Sequence, residues 1–255
     1  MQLPPRVTHT VVDSVATVVL ANPAKRNAMT AGMWRALPGL LAALADDPGV
    51  RALVLTGEGD TFCAGVDIST LRGPGDAGGT PQELAVVAEE ALAAFPKPTL
   101  AAVRGYCVGG GNQLAAACDL RFAEEGALFG VTPAKLGIVY PSSSTRRLAA
   151  LVGPSAAKYL LFSGELVDTA RALRTGLVDE VLAVGQLDKR VAEFTRVLVG
   201  RSGLTQAAAK EFVDGRTDRD AYWEEQMAGS GDTAEGVAAF LERRAPRFGW
   251  TAPRH

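Results

Sequence analysis

Histidine is nearly absent from this chain of 255 residues, which contains only His9 and His255. His9 lies in an expected N-terminal strand and His255 is the last residue, so neither is well placed to activate a nucleophile. The scarcity argues against a histidine metal site and against a Ser-His-Asp triad. We therefore expect no bound metal.

Cysteine is scarce as well, and the three residues present are Cys63, Cys107 and Cys118. All three lie among apolar or small residues, and an odd number does not indicate a disulfide framework. A nucleophilic Cys63 or Cys107 would need a basic partner that the two histidines do not supply. We interpret the cysteines as reduced packing residues of a cytoplasmic protein.

An excess of positive charge is also missing, since 26 Lys and Arg residues face 28 Asp and Glu residues, for a net charge of −2. This balance gives no indication of nucleic-acid binding. No apolar run is long enough for a membrane span, and residues 1–6 lack an apolar signal core. Because 47% of the residues are hydrophobic, the chain can bury the core of one large domain, with or without an appendage.

A glycine-rich turn stands out among the features that are present. The apolar run Pro98–Val103 predicts a short buried strand, Leu114–Cys118 predicts a buried helix, and Gly109–Gly111 lies between them. Glycine permits close approach to the main chain, and the first N–H groups of a helix have no partner within it. Such a turn suits an anion, either bound or formed during a reaction, although it can also serve only to pack helix on strand.

A second turn of this kind follows the predicted strand Ala52–Thr56. Residues Thr61–Ile68 contain Gly65 and lead towards a predicted short helix. Two strand–glycine–helix turns can aim two backbone N–H groups at one carbonyl oxygen. That arrangement is an oxyanion hole, which stabilises charge developing on a thioester or ester oxygen.

The remaining pattern predicts an α/β protein, because strands alternate with helices as in βαβ units. Strands are predicted at Val7–Asp13 and Val15–Leu20, and a helix capped by Thr30 runs to about Asp46, with a kink or break at Pro38. After a glycine-rich connection at Arg72–Thr80, the other predicted elements are a helix at Pro81–Phe95, strands at Asp119–Ala123 and Gly126–Gly130, a loop at Val131–Ser144, and helices at Thr145–Val152, Pro154–Phe162, Thr169–Arg174, Leu187–Val199, Leu204–Val213, Arg219–Met227 and Thr233–Arg243.

Several segments together resemble the crotonase (enoyl-CoA hydratase/isomerase) superfamily. They are the two glycine turns, at Phe62–Ile68 and Gly105–Gly111, the loop Asn22–Met29, and the segments Gly164–Ala170, Gly176–Val181 and Glu235–Arg244. The resemblance covers nearly the whole chain. It implies a spiral of repeated ββα units in residues 1–195 and a helical C-terminal region in residues 196–255. That region builds a homotrimer, which is often paired into a hexamer.

The resemblance also implies the site residues of an enzyme whose substrate is a coenzyme A thioester, with no permanently bound cofactor. The oxyanion donors are the backbone N–H groups of Val66 and Gly110. The residues implied to contact coenzyme A are Lys25, Arg26, Ala28, Ala64, Asp67 and Ile68. Lys25 and Arg26 suit phosphates but equally suit a solvated pair, and Asp67 can also be a helix N-cap. Arg243 or Arg244 can reach a phosphate or belong to a solvated charge run.

Both glutamates that hydratases of this superfamily use as a general acid–base pair are missing. Gln113 occupies the first position, three residues after Gly110, and Ala134 occupies the second, after Pro133. Glutamine can hydrogen-bond water but cannot exchange a proton near neutral pH. We therefore do not expect efficient hydration by the usual mechanism.

The loop Thr132–Tyr140 resembles the methylmalonyl-CoA decarboxylase branch, which has a similar Thr-Pro-Ala segment and a tyrosine at the place of Tyr140. Decarboxylation needs an oxyanion hole but no strong base. Tyr140 can orient a carboxylate or be a wall residue with its hydroxyl in water. The resemblance is partial, because that branch carries a histidine where this chain has Val66.

Four hypotheses follow. The first is an acyl-CoA enzyme of the lyase or isomerase type that works through a thioester enolate, and the second is a methylmalonyl-CoA-type decarboxylase. The third is an acyl-CoA binding protein without chemistry, and the fourth is a structural or interaction protein. The carboxylates of Asp76, Glu83, Glu89 and Glu90 can supply an isomerase base, but we expect each of them to be a solvated charge.

Overall fold

The computed structural model describes residues 3–67 and 79–252. Within them, a main sheet has the strand order β1-β2-β3-β4-β6-β8, and a second sheet pairs β5 with β7. The strands are β1 (Arg6–Val12), β2 (Val15–Ala21), β3 (Ala52–Gly57), β4 (Thr99–Val103), β5 (Tyr106–Val108), β6 (Leu120–Glu124), β7 (Leu128–Gly130) and β8 (Glu180–Leu182). The alternation of strands and helices confirms the predicted α/β class.

The main sheet is parallel except for the hairpin at its edge. β1 and β2 pair antiparallel around a tight turn, and the pairs β2–β3, β3–β4, β4–β6 and β6–β8 are parallel. All five residues of β4 are buried, as expected for a central strand covered on both faces. The carboxyl ends of β3 and β4, from which the chain continues towards the two glycine turns, therefore lie next to each other.

The helices are α1 (Ala31–Asp46), α2 (Pro81–Ala93), α3 (Gly110–Ala117), α4 (Ser142–Ser163), α5 (Thr169–Thr175), α6 (Leu187–Val199), α7 (Gly203–Val213), α8 (Asp220–Ser230) and α9 (Asp232–Glu242). Thr30 caps α1 by accepting from the backbone N–H of Met33, as predicted. The predicted break at Pro38 is wrong, since α1 runs through it. The buried face from Met33 to Leu44 packs into the core, and this packing outweighs the local loss of one hydrogen bond. The break within α4 at Gly153 was predicted, and it separates the two expected helices.

Two strands were missed, and α3 and α4 begin four and three residues earlier than predicted. β5 and β8 have three residues each, too few for an alternating pattern to be recognised. α3 begins at Gly110 rather than at Leu114. Glycine is a poor helix former, so sequence propensity did not reveal this first turn.

The core that supports the glycine turns lies between the sheet and helices α1 to α4. A separate apolar cluster joins α7 and α8 through Leu204, Ala207 and Trp223, with Trp250 packed against it. The division at residues 195 and 196 stays a prediction. Across residues 3–67 and 79–252, no helix is both long and apolar enough to cross a bilayer.

Candidate active site

The first glycine turn is held by the loop that precedes α1. The N–H of Ala64 donates to the carbonyl of Arg26 at 2.9 Å, the N–H of Met29 donates to that of Gly65 at 2.7 Å, and the N–H of Asp67 donates to that of Met29 at 2.9 Å. In a trans peptide the C=O and the following N–H point in opposite directions. Because the carbonyl of Gly65 points at Met29, the N–H of Val66 points away from this loop. It donates no hydrogen bond within the described residues.

The buried side chain of Asn27 fixes that loop, and sequence reasoning missed it. Asn27 is fully buried, and its φ is +57°. Its Oδ1 accepts from the N–H of Asn22 at 2.9 Å, and its Nδ2 donates to the carbonyls of Glu58 at 2.9 Å and Thr61 at 2.6 Å. The tolerance of asparagine for the left-handed region was the one local signal that pointed to it.

The second turn is the start of α3. Gly109 has φ 55° and ψ −117°, a conformation that favours glycine. Its N–H donates to the carbonyl of Gly130 at 2.8 Å, and its carbonyl accepts from the N–H of Gln113 at 3.0 Å. The N–H of Gly110 is the first of the helix, and among residues 3–67 and 79–252 it has no acceptor.

The two turns are packed directly against each other. The backbone of Cys63 pairs with β5, since its N–H donates to Tyr106 at 2.8 Å and its carbonyl accepts from Val108 at 3.0 Å. A Cβ added to Gly65, whose φ is +104°, would lie 3.3 Å from the nitrogen of Gly110. Both turns therefore line one cavity of about 110 Å³, whose other described lining residues include Ala64, Val66, Gln82, Ala85, Gly109, Gln113, Thr132, Pro133, Leu136, Ile138, Tyr140 and Pro141.

The side-chain amide of Gln113 is hydrogen-bonded to the buried carboxylate of Glu89. Its Nε2 donates to Oε2 of Glu89 at 2.6 Å and to Oγ of Ser144 at 3.1 Å. The hydroxyl of Ser144 and the guanidinium of Arg147 also donate to Glu89. The expectation that Glu89 is a solvated charge is therefore wrong, because it is fully buried and ion-paired. Glu90 does face solvent, and Asp76 lies outside the described residues.

Tyr140 lines the same cavity and is half-buried. Burial, and then the negative charge of Glu89, raise the pKa of its phenol above the ordinary value. At neutral pH it is therefore a hydrogen-bond donor. Ala134, at the second hydratase position, is exposed and is not among the residues that line the cavity.

The predicted coenzyme A residues that the structure describes lie side by side. Lys25 forms an ion pair with the nearly buried Asp67 at 2.7 Å. The guanidinium of Arg26 lies 4.5 Å from the centre of the Tyr106 ring, and Ala28 is buried in the same loop. Ile68 and the glycine-rich connection up to residue 78 lie outside the described residues. Far from this loop in the sequence, Arg244 forms ion pairs with Glu235 and Glu242.

The three cysteines are buried. Burial raises the pKa of Cys63 and of Cys118 to about 12, and that of Cys107 well above its ordinary value. Their thiols are protonated at neutral pH, so they are poor nucleophiles. This agrees with the interpretation of these residues as packing residues.

Comparison with known proteins identifies the family to which the chain belongs. Residues 10–251 match the family model described as enoyl-CoA hydratase/isomerase. The chain is 32% identical to a crotonyl-CoA hydratase of Syntrophomonas wolfei over 248 residues, covering 92% of this chain and 95% of the relative. It is 35% identical to a putative enoyl-CoA hydratase of Thermus thermophilus over 246 residues, covering 92% of this chain and 97% of the relative.

Solved structures agree with this result. A crystal structure of an enoyl-CoA hydratase/isomerase family member superposes with a TM-score of 0.91 at 38% identity, covering 98% of this chain and all of the other. A putative family member from Hyphomonas neptunium gives 0.90 at 35% identity, covering 96% of this chain and 97% of the other. The chain therefore belongs to the enoyl-CoA hydratase/isomerase family and has its fold.

Proposed function

We propose that this acyl-CoA enzyme of the lyase or isomerase type holds the thioester oxygen between the N–H groups of Val66 and Gly110. The observation that carries the proposal is the orientation of the Gly65–Val66 peptide. Its carbonyl is bound by Met29, so its N–H is left for the cavity that the start of α3 also lines. Each turn thus offers one donor without a protein partner among the described residues.

The two donors stabilise an enolate. When the α-carbon loses a proton to a base, or loses CO₂, the electron pair of the broken bond moves onto the thioester oxygen. Two fixed N–H groups oppose this charge without reorganisation, and each is worth about 3–4 kcal/mol of transition-state stabilisation. The neutral phenol of Tyr140 adds a further donor in the cavity.

The loop and the first turn together hold the coenzyme A part of the substrate in this proposal. Lys25 and Arg26 supply positive charge for phosphates, and Ala28, Ala64, Asp67 and Ile68 surround the nucleotide. The ion pair between Lys25 and Asp67 supports this proposal, because it holds the loop Asn22–Met29 against the first turn. A homotrimer or hexamer is also proposed, and the exposed side chains of Phe240 and Leu241 on α9 suit a face that another copy covers.

A decarboxylase of the methylmalonyl-CoA type is the second candidate. The observation that favours it is that no Asp, Glu or His occurs among the described residues that line the cavity. Loss of CO₂ breaks the bond between the α-carbon and the carboxylate and leaves its electron pair on the thioester, so no base is needed. A third candidate, an acyl-CoA binding protein without turnover, is favoured by Gln113 and Ala134 in place of the two glutamates.

The carbonyl stretching frequency of a bound thioester tests the oxyanion hole. Butyryl-CoA labelled with ¹³C at the carbonyl should absorb at lower frequency when bound than in water, because two donors polarise it. Val66→Pro removes one donor and should reverse part of the shift, whereas Val66→Ala keeps the N–H and should keep the shift. A bound thioester with an unshifted frequency would contradict the proposal.

Turnover then separates the three candidates. Mass spectrometry with crotonyl-CoA, a 3-enoyl-CoA, methylmalonyl-CoA and malonyl-CoA distinguishes hydration, double-bond migration and loss of CO₂. Any turnover that occurs should fall about 100-fold or more in Val66→Pro but little in Val66→Ala. Hydration of crotonyl-CoA would contradict the argument from the missing glutamates. Binding without any product would favour the acyl-CoA binding protein.

A further inference from the structure

A buried polar cluster joins three helices behind the cavity. Glu89 on α2 accepts from Arg147 and Ser144 on α4 and from Gln113 on α3. Glu89 is fully buried, and Ser144 and Gln113 are 3% and 4% exposed. Of these four residues, only Gln113 lines the cavity between the two glycine turns, which we call the acyl cavity.

The cluster allows one orientation of the Gln113 amide. Glu89 is ion-paired with Arg147, and an ionised carboxylate can only accept hydrogen bonds. The hydroxyl of Ser144 donates its one hydrogen to Glu89, so towards Gln113 it acts as an acceptor. Both neighbours therefore require the NH₂ end of Gln113, and a flipped amide would place its oxygen against theirs.

This orientation determines what Gln113 offers to a ligand. Its Nε2 is used by the cluster, and its Oε1 has no hydrogen bond within the described residues. Because the side chain also lines the cavity, the polar atom left for an acyl group is the carbonyl oxygen. A carbonyl oxygen accepts hydrogen bonds and cannot donate them.

We propose that Glu89 is a positioning residue that makes the part of the acyl cavity lined by Gln113 a hydrogen-bond-acceptor site. The site then selects neutral acyl groups that carry a donor, such as a hydroxyl or an amide N–H. It disfavours acyl carboxylates, which would meet the oxygen of Gln113 with the charge of Glu89 behind it, and this counts against the decarboxylase candidate. This inference rests on the proposed function, because it requires the acyl group of a coenzyme A thioester to enter this cavity.

Calorimetric binding of three coenzyme A thioesters tests the inference. We expect 3-hydroxybutyryl-CoA to bind about five-fold more tightly than butyryl-CoA, the gain typical of one hydrogen bond. We expect malonyl-CoA to bind at least about tenfold more weakly than butyryl-CoA, because its carboxylate loses water without gaining a donor from Gln113. Equal affinities for the hydroxylated and plain ligands would overturn the inference.

Glu89→Gln is the decisive variant, because a glutamine can donate as well as accept and no longer fixes the amide of Gln113. The ratio of butyryl-CoA to malonyl-CoA affinity should fall towards one, because the amide can then turn its NH₂ towards the carboxylate, whereas a hydroxyl can bind to either end of the amide. Glu90→Gln is the matched control, since Glu90 is the next residue, contacts the same Arg147 and is half-exposed. It should keep the preference for butyryl-CoA over malonyl-CoA, whereas an unchanged preference in Glu89→Gln would overturn the role of Glu89.

A second variant covers the case in which Glu89→Gln does not fold. Gln113→Met removes the acceptor at similar length and leaves Glu89 paired with Arg147. It should abolish the preference for the hydroxylated ligand while butyryl-CoA still binds, and a retained preference would overturn the inference. If no thioester binds the wild-type chain at all, the proposed function fails with it, whereas binding without discrimination leaves the proposed function intact.

Discussion

The two glycine turns provide the same chemical group by different physical means. The first turn, residues 63–67, depends on a loop far away in the sequence, whose main chain binds the carbonyl of Gly65 and whose Asn27 is anchored by three hydrogen bonds. The second, residues 108–111, is produced locally by the start of α3. An N–H group can thus be left without a partner either by long-range hydrogen bonds that orient its peptide or by its place at a helix start. Substitutions in the two turns should therefore affect stability and local structure differently.

The largest loss of stability is expected from a substitution at the contact between the two turns. A Cβ added to Gly111 would lie 2.2 Å from the carbonyl oxygen of Cys63, which is backbone and cannot move aside without opening the contact between the turns. We expect Gly111→Ala to lower the free energy of unfolding by about 4 kcal/mol or more. Urea denaturation measures this loss.

Gly39 in α1 provides the control for that substitution. A Cβ at Gly39 would meet nothing within 4 Å, and the residue is inside a helix. Gly39→Ala should therefore raise the free energy of unfolding by about 0.5–1 kcal/mol. Equal destabilisation by both alanines would contradict the importance of the contact between the turns.

Substitution of Asn27 should lower the free energy of unfolding somewhat less. The structural change should be confined to the first turn. Asn27→Gly keeps the left-handed backbone accessible but leaves buried groups of Asn22, Glu58 and Thr61 without their partner, at a cost of about 2–3 kcal/mol. Asn27→Ala should cost about 1 kcal/mol more, because its φ of +57° disfavours a Cβ.

Amide hydrogen exchange locates the damage in these Asn27 variants. Exchange should accelerate at Met29 and Asp67, whose N–H groups join the loop to the first turn. Exchange at Gln113, in the second turn, should change little. Equal acceleration at both turns would show that they are a single cooperative unit rather than two separately held ones.

The smallest effect, at moderately alkaline pH, concerns Cys63 in the first turn and Cys107 in β5, the strand that precedes the second turn. Burial raises the pKa of Cys63 from 9.0 to about 12, so between these values the folded protein binds more protons than the unfolded chain. Stability from this thiol is complete below pH 9 and is lost as pH rises through the window, by up to about 1.4 kcal/mol per pH unit.

Urea denaturation between pH 8 and pH 10.5 measures this loss. Cys63→Ala and Cys107→Ala should each make the decline in stability above pH 9 less steep than in the wild-type chain, because burial raises both pKa values. A decline that is unaffected by either variant would show that the thiols are not buried as described.

Much of this fold was predictable because its signals are local. Apolar runs followed by glycine gave β3 and β4, and Thr30 gave the start of α1, since each depends on neighbouring residues alone. The hydrogen bonds that orient the Gly65–Val66 peptide were not predictable in the same way. They join segments about 40 residues apart, and no local pattern records which carbonyl a distant N–H will meet.

The burial of Glu89 could have been predicted from the spacing of the apolar residues in α2. Ala85, Ala88, Glu89 and Leu92 are the buried residues of α2, with the i, i+3, i+4, i+7 spacing of one helix face. Glu89 lies within this apolar face, and its neighbour Glu90 does not. A carboxylate at such a position requires a buried partner, although the identity of that partner, Arg147, depends on the packing of α4.

The proposed oxyanion donors belong to the main chain alone, and this has an evolutionary consequence. Replacing Val66 by any residue other than proline leaves its N–H in place, because Met29 holds the preceding carbonyl whatever side chain follows. Side chains around the cavity, such as those of Gln113 and Tyr140, can therefore change without removing the groups that we propose to polarise the thioester. A lineage built in this way can exchange one reaction for another while keeping the activation of its substrate throughout.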